Sequence, residues 1–176
     1  MKKIRVGILG GSFNPCHPGH LHISLKAIKQ LKLNQVWWVV SPQNPLKSTD
    51  IKPSFYKRIE ACNAFTKPHR KIKVKDLEYK FFRSAKKFYT YDLLKRLNAK
   101  FKDIEFVLLI GADNMEGFHK WKRFKDIPAL AEIDAFNRTG YKYKALSSRA
   151  ARQKLFSRFI DGKTLAISST ELRNKK

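Results

Sequence analysis

Two histidines follow a pair of glycines near the start of the chain. His17 and His20 lie three residues apart, where residues 18–19 open a predicted helix, so both imidazoles can face one pocket and donate to phosphate oxygens. Gly10-Gly11 permits a backbone path that brings N–H groups close to an anion, and the helix would aim its positive end at the same place. The segment therefore predicts a phosphate-binding turn.

Other chemistries fit this segment less well. No Gly-Lys-Ser/Thr follows the glycines, so the segment is not a Walker loop, and it does not match the G-x-G-x-x-G pattern of dinucleotide folds. A metal site would need at least one more ligand, and Cys16 is placed awkwardly for a single tetrahedral site. Without the glycines and prolines, two histidines that merely cap a helix would be the default interpretation.

Alternating strands and helices must position this turn. Ile4 to Leu9 is a short apolar run rich in β-branched residues that stops at the two glycines, which is typical of a buried strand ending in a tight turn. A helical stripe from Leu21 to Leu31 and a second buried strand from Val36 to Val40 follow. Together they predict a strand–turn–helix–strand unit.

The alternation continues along the chain. Ile104 to Ile110 is the strongest strand and also ends in glycine, at Gly111, and Thr90 is predicted to cap the helix before it. We therefore predict an α/β, Rossmann-like, mostly parallel sheet with helices on both faces, in a single domain over 1–176, with ligands beyond the carboxyl ends of the strands. The other expected elements are a loop over 41–47, helices over 54–65 and from Ser168, strands over 72–74, 133–136 and 164–167, and a basic segment over 141–158 without clear boundaries.

The composition is strongly basic. A count of 38 Lys and Arg against 14 Asp and Glu gives a formal net charge of +24, which attracts nucleic acid, anionic surfaces or phosphorylated metabolites. Because the lysines are spread along the whole chain, a lysine-rich proteome explains the excess as well as a nucleic-acid groove does. Two cysteines, Cys16 and Cys62, are too few and too far apart for a disulfide framework, so reduced thiols are expected. No stretch reads as a signal peptide or a membrane span, so we expect a cytoplasmic protein.

Two motifs carry a family resemblance. Gly11 to His20 reads GSFNPCHPGH and resembles the G-S-F-[DN]-P-x-H-x-G-H signature of the nucleotidyltransferase superfamily with the H-x-G-H motif. Ile167 to Arg173 reads ISSTELR and resembles its second signature, I-S-S-T-x-[IL]-R. The two stand in the right order at opposite ends of a chain of the right length. The resemblance implies the nucleotidyltransferase fold.

Motifs between these two narrow the resemblance to one family. They are similar to segments of the bacterial nicotinate-nucleotide adenylyltransferases: PQNPLK at 42–47, YTYD at 89–92, GADN at 111–114 with Phe118 and Trp121, and FNRTG at 136–140. Three features depart from the family pattern. Leu46 stands where many members carry His, Thr139 replaces the usual Pro, and the chain ends three residues after Arg173, where many relatives continue.

The resemblance also implies a reaction. The phosphate of a mononucleotide attacks the α-phosphorus of ATP in line, with Mg²⁺ carried by ATP and with neither a covalent nucleophile nor a protein metal site, which suits a site rich in positioned donors. The implied catalytic residues are His17, His20 and Arg173. The implied ATP-binding residues are Gly10, Gly11, Ser12, Phe13, His20, Gly111, Asp113, Ser168, Ser169, Thr170 and Arg173. The implied nicotinate mononucleotide-binding residues are Ser12, Asn44, Lys47, Tyr89, Thr90, Trp121 and Arg138.

Some of these residues have simpler interpretations. Trp121 can pack in the core rather than stack on the nicotinate ring, and Asp113 can cap the next helix rather than bind the nucleotide. Arg173 and Lys47 can be exposed cations of a basic chain. Thr90 is expected to help read the nicotinate carboxylate at a helix start, where the helix dipole favours an anion.

Two other functions are alternatives. The first is another adenylyl- or cytidylyltransferase of the superfamily, such as the pantetheine-phosphate enzyme, which shares the first motif but not the Gly-Ala-Asp-Asn block. The second is a nucleic-acid-binding protein on the same fold, although nucleic acid is not the expected partner despite the charge of +24. The expected partners are the small molecules ATP and nicotinate mononucleotide, with no membrane, and a homo-oligomer is left open.

Overall fold

The computed structural model describes residues 3–42, 54–82, 89–161 and 172. Within these ranges the chain forms one sheet whose six strands pair in parallel throughout. The strands are β1 (Ile4–Gly11), β2 (Gln35–Val40), β3 (Ile72–Lys75), β4 (Ile104–Gly111), β5 (Glu132–Phe136) and β6 (Arg158–Ile160). Their order across the sheet is β3-β2-β1-β4-β5-β6. Successive strands thus lie outward from β1 toward β3 on one side and from β4 toward β6 on the other. The switch point lies between β1 and β4.

Helices cover both faces of the sheet, as the sequence predicts. The α-helices are α1 (Pro18–Gln30), α2 (Phe55–Thr66), α3 (Leu77–Phe81), α4 (Thr90–Lys100), α5 (Ala112–Gly117), α6 (Lys142–Leu146) and α7 (Arg149–Arg152), with 3-10 helices at Phe118–Lys120 and Phe124–Ala129. Because successive side chains of a strand point to opposite faces, Trp37 and Trp38 belong to two separate apolar clusters. The first cluster includes residues of α4 and α5, and the second includes residues of α1 and α2.

Charged residues hold the amino-terminal half of the sheet. Arg5 of β1 donates to the Leu31 carbonyl at 2.6 Å and to Glu105 of β4 at 2.9 Å. Arg158 of β6 binds Asp134, a fully buried carboxylate of β5, at 3.0 Å. A buried charge is costly unless it is paired, so Arg158 stabilises the edge of the sheet by compensating Asp134.

Two local predictions were wrong, and the structure defines the elements of one segment that the sequence left without boundaries. Strand β1 continues through Gly11, so the turn does not begin at the glycines, and the left-handed residue is Phe13, with a φ of 46°. Tyr89, not Thr90, is the N-cap of α4, and Thr90 is its first helical residue. Segment 141–158 contains α6, α7 and the first residue of β6, a strand that the sequence did not predict. The strand expected over 164–167 and the helix expected from Ser168 lie outside the described residues.

Candidate functional site

The loop after β1 is held against the sheet by aromatic stacking. Phe13 is buried, and its ring stacks on Trp38 of β2 with 4.9 Å between centroids. Beside the loop, a Cβ added to Gly10 would meet no atom within 4 Å in the described part of the chain. Gly10 therefore contributes open space beside the end of β1 rather than an unusual backbone angle.

The two histidines of the motif form a reciprocal cap at the start of α1. The Gly19 N–H donates to Nδ1 of His17 at 3.1 Å, and the His17 N–H donates to Nδ1 of His20 at 3.2 Å. Their ring centroids are 3.8 Å apart, which confirms that the three-residue spacing brings the imidazoles together. Because both Nδ1 atoms accept hydrogen bonds, each neutral imidazole carries its proton on Nε2. Each histidine therefore keeps an N–H donor on its far side.

His20 is held in the neutral form. Burial lowers the pKa of His20 from 6.5 to about 3, and the nearby His17 ring and Arg138 guanidinium act in the same direction. At neutral pH its Nε2 then acts as an uncharged donor, and the cationic partner in the same neighbourhood is Arg138.

Trp38 fixes the position of His20 through Ser24 and through a contact between the two rings. Its indole N–H donates to the Ser24 hydroxyl at 2.7 Å, and that hydroxyl donates to the His20 carbonyl at 2.8 Å. The Trp38 and His20 ring centroids are 5.8 Å apart. The sequence places Trp38 only within the predicted buried strand 36–40, because its link to His20 runs through Ser24, a residue that belongs to no recognisable motif.

The second half of the site lies at the ends of β4 and β5. Arg138, just after β5, donates to Oδ2 of Asp113 in α5 at 2.5 Å. A Cβ added to Gly111 would lie 2.4 Å from Asp113 Oδ1, so glycine at this position gives the carboxylate room. Gly111 itself is the N-cap residue of α5. The interpretation of Asp113 as the helix cap is therefore wrong, and its observed role is to pair with Arg138.

The residues predicted to read nicotinate lie around the start of α4. Lys122 donates to Asp92 at 2.9 Å and lies 5.0 Å from the Tyr89 ring centroid. Trp121 precedes Lys122, is half-buried, and packs on Phe118 with 4.9 Å between centroids. The structure thus brings Tyr89 and Thr90 close to the 121–122 segment. The core-packing interpretation of Trp121 therefore applies to the face that contacts Phe118.

Helix α2 contributes two residues that the sequence analysis did not assign to the site. Arg58 is almost completely buried, and its guanidinium donates to backbone carbonyls of the loops after β1 and β2. Cys62, one turn later, hydrogen-bonds with Cys16, which precedes His17, and this contact lowers the pKa of Cys16 to about 7. The sequence does contain a sign that Arg58 is buried, because this arginine lies on the apolar helix stripe that Phe55, Cys62 and Phe65 form.

A buried carboxyl lies next to Ser41, the residue that follows β2. Burial raises the pKa of Glu78 in α3 from 4.5 to about 7, and a hydrogen bond with Ser41 partly offsets this effect. Among the described residues, its Oε2 has no hydrogen-bond partner. The Ser41 N–H donates to the Gly11 carbonyl at 2.8 Å, so this carboxyl is two contacts away from the end of β1.

Six of the predicted site residues lie outside the described ranges: Asn44, Lys47, Ser168, Ser169, Thr170 and Arg173. Asp161, the last described residue before 162–170, is well anchored. Its carbonyl accepts from Lys26 of α1 at 2.6 Å, and its carboxylate accepts from Asn137 at 2.7 Å and from Lys142. The second motif therefore follows a residue fixed beside α1 and the end of β5.

Comparisons with known proteins identify the family of this chain. A family model described as cytidylyltransferase-like matches residues 8–175. A protein of Methylorubrum extorquens named "probable nicotinate-nucleotide adenylyltransferase" is 38% identical over 95% of this chain and 89% of its own. A protein of Pelagibacter ubique with the same name is 40% identical over 98% of this chain and 93% of its own.

A solved structure shows the same fold. It is the Plasmodium falciparum nicotinic acid mononucleotide adenylyltransferase complexed with NaAD, which superposes with a TM-score of 0.78 at 23% identity over 97% of this chain and 82% of its own. The paired histidines after β1, the open position at Gly10 and a match along nearly the whole chain lead to one assignment: the chain belongs to the nicotinate-nucleotide adenylyltransferases, within the cytidylyltransferase-like family.

Proposed function

We infer that this protein transfers the adenylyl group of ATP to nicotinate mononucleotide, which gives nicotinate adenine dinucleotide and pyrophosphate, a step of NAD biosynthesis. The observation that carries this inference is the His17–His20 pair, whose Nδ1 atoms both accept backbone hydrogen bonds, which orients the two imidazoles together at the switch point of a parallel sheet. Membership of the family supports the identity of the substrates.

The reaction needs alignment and charge stabilisation rather than a protein nucleophile. A phosphate oxygen of the mononucleotide forms a bond to the α-phosphorus of ATP, and the bond from that phosphorus to the bridging oxygen of pyrophosphate breaks. We assign His17 to the α-phosphate and His20 to the other ATP phosphates, each through Nε2–H. Donors that are already oriented stabilise the developing charge without having to reorganise during the reaction.

The remaining ligands divide between the two sides of the switch point. For ATP we propose the end of β1 with its loop, Asp113, and the second motif. Phe13 is 2% exposed, so it contributes its backbone while its ring packs on Trp38. The proposed ATP ligands besides the histidines are Gly10, Gly11, Ser12, Phe13, Gly111, Asp113, Ser168, Ser169, Thr170 and Arg173.

Nicotinate mononucleotide then occupies the side formed by α4 and the end of β5. The side chain of the N-cap residue Tyr89 makes no hydrogen bond to the first turn of α4 among the described residues, so we assign the N–H groups of this turn to the nicotinate carboxylate, which the amide analogue lacks. Arg138 would bind its phosphate while Asp113 orients the guanidinium. The proposed ligands are Ser12, Asn44, Lys47, Tyr89, Thr90, Trp121 and Arg138.

We propose that Mg²⁺ enters as the complex with ATP. Among the described residues, no group of three or more His, Cys, Asp or Glu side chains could hold a metal ion, and the Asp113 carboxylate is engaged by Arg138. Oxygens of the triphosphate and water suit the octahedral preference of Mg²⁺, which supplies positive charge to the leaving pyrophosphate.

The described helices include none long and apolar enough to cross a membrane. A cytoplasmic location, where ATP and pyridine mononucleotides are present, is part of this proposal, as is the absence of nucleic acid among the partners.

Pyrophosphate release tests the proposed function. The purified chain with Mg²⁺ and ATP should release pyrophosphate with nicotinate mononucleotide, and with clearly lower kcat/KM for nicotinamide mononucleotide. Equal kcat/KM for acid and amide would refute the role of the α4 start. Release only with phosphopantetheine would instead assign the chain to the pantetheine-phosphate reaction, and binding of DNA or RNA with a steep salt dependence but no pyrophosphate release would favour a nucleic-acid-binding role.

A further inference from the structure

Arg58 connects the two loops at the centre of the site. Its Nη1 donates to the Ser12 carbonyl at 2.5 Å and to the Ser41 carbonyl at 2.8 Å, and its Nη2 donates to the Pro42 carbonyl at 3.0 Å. Ser12 follows β1, whereas Ser41 and Pro42 follow β2. One planar side chain therefore fixes the separation of two loops, next to the backbone hydrogen bond from the Ser41 N–H to the Gly11 carbonyl.

Burial makes a charged side chain at position 58 energetically unfavourable. Arg58 is 1% exposed on a helix stripe otherwise made of Phe55, Cys62 and Phe65, and burial lowers the pKa of its guanidinium. A Leu or Met side chain on this stripe would avoid the desolvation cost of a charge, and replacement of buried ionic groups by apolar ones is often neutral or stabilising. Packing alone thus does not explain arginine here.

The charge of Arg58 also lies next to backbone groups of the proposed ATP site. A guanidinium that donates to three carbonyl oxygens aligns the dipoles of these peptide groups and fixes their planes. The Ser41 peptide ends at the nitrogen of Pro42 and has no N–H, but the N–H on the other side of the Ser12 peptide keeps a constant direction. The peptide that contains the Ser12 carbonyl carries the N–H of Phe13, which we have proposed as an ATP ligand through its backbone. Arg58 thereby determines where that donor points.

We propose that Arg58 is a positioning residue for phosphate alignment, which sets the loop after β1 relative to the loop after β2 without touching either substrate. This inference rests on the proposed function of the site. It extends the site to α2, which contacts the loop a second time through Cys62 and Cys16.

Two substitutions separate positioning from stability. Arg58→Lys keeps the charge but replaces the planar fork by a single ammonium, and Arg58→Met keeps the length of the side chain without charge. A misplacement of about 1 Å can cost a factor of about 10² in rate, so we expect kcat to fall about 10-fold in Arg58→Lys and about 100-fold in Arg58→Met. KM for ATP should change less than about 3-fold, because the Asp113 side of the site is not altered.

Arg5→Lys is the matched control. Arg5 also donates to a backbone carbonyl, that of Leu31 at 2.6 Å, but near the opposite end of β1. All variants should be assayed well below their own Tm. We expect Arg5→Lys to lower Tm and to retain the kcat of the unmodified chain. Unchanged kcat in both folded Arg58 variants, or an equal loss of kcat in Arg5→Lys, would overturn the proposal.

A second measurement does not depend on turnover. The ³¹P resonances of bound Mg²⁺·α,β-methylene ATP should shift in Arg58→Lys relative to the unmodified chain and should not shift in Arg5→Lys. If the unmodified chain releases no pyrophosphate with any mononucleotide, the proposed function fails while these resonances still test Arg58. Identical spectra for Arg58→Lys and the unmodified chain would contradict the positioning role.

Discussion

The Asp113 carboxylate and the Arg138 guanidinium, 2.5 Å apart, join the carboxyl ends of β4 and β5. Because both side chains are 28% exposed, the pair is neither a buried core contact nor a loose surface one. It places an acidic group that we assign to ATP against a basic group that we assign to the mononucleotide. The two proposed substrate sites are therefore in direct contact before any substrate binds.

This pair can be tested with a double-mutant cycle. Asp113→Asn and Arg138→Met should each lower kcat/KM about 10–100-fold, and the double variant should lose less than the product of the two, because contacting residues couple by about 0.5–3 kcal/mol. Glu105→Gln, which removes the partner of Arg5 at 2.9 Å, is the ion-pair control and should retain kcat/KM. Strictly multiplicative losses would contradict the coupling.

Two substitutions of His17 separate its cap from its chemistry. Asn is a good N-cap residue and can accept the Gly19 N–H as Nδ1 does, whereas Ala cannot. His17→Ala should therefore lower the free energy of unfolding by about 0.5–2 kcal/mol, and His17→Asn by much less. Both should lose a factor of about 10²–10³ in kcat while ATP still binds, since both lack the Nε2 donor. Near-normal turnover in His17→Asn would show that capping is its whole role.

The low pKa of His20 predicts acid sensitivity. In the unfolded chain this histidine takes up a proton as the pH falls below 6.5, but in the folded chain it does so only near pH 3. Between these values the unfolded state binds one more proton than the folded state. The contribution of neutral His20 to the stability of the fold is therefore complete above pH 6.5 and is lost as the pH falls toward 3. Urea titrations across this range should show a weaker pH dependence for His20→Asn. Parallel curves for the two proteins would mean that His20 is not neutral in the fold.

Glu78 predicts the opposite trend. Its pKa is raised from 4.5 to about 7, so the folded state holds a proton that the unfolded state has released, and stability falls as the pH rises across this interval. Glu78→Gln mimics the protonated form. Its free energy of unfolding should exceed that of the unmodified chain by up to about 3 kcal/mol at pH 8 and should match it near pH 4. A variant that is less stable at pH 8 would refute the raised pKa.

Cys16 should react selectively. Its hydrogen bond with Cys62 lowers the pKa of Cys16 from 9.0 to about 7, and Cys62 is fully buried, so iodoacetamide at pH 7 should label Cys16 first. Because Cys16 precedes His17, labelling should inactivate the protein, and Mg²⁺·ATP should slow the loss. Peptide mapping by mass spectrometry identifies the labelled residue, with Cys16→Ser as the control. First labelling at Cys62 would contradict the geometry.

The central strands were predictable because both of their faces are buried. The run 104–110 leaves a strong signal in the sequence and ends within one position of β4, whereas β1 continues two residues beyond its predicted end. Strand β6 left no such signal. It has three residues, of which Arg158 is exposed, and Arg158 pairs with the buried Asp134 of the neighbouring strand.

The site was predictable only where its chemistry is local. His17 and His20 contact each other because of a three-residue spacing that the sequence displays. Arg58 contacts Ser12, which lies 46 residues earlier in the chain, and no sequence motif indicates this contact. Phe13 takes a left-handed φ beside two glycines that do not, because stacking on Trp38 stabilises a conformation that local preference would assign to glycine.

The pairing of β1 with β4 has a consequence for biosynthesis. Arg5 and Glu105 are neighbours in the sheet although 100 residues separate them, so one edge of β1 stays unpaired until β4 has been synthesised and has left the ribosome. During that interval the nascent chain exposes an apolar strand edge that can pair with other chains. Shielding of this edge, for instance by chaperones, should therefore matter more to the yield of active protein than the stability of the finished sheet.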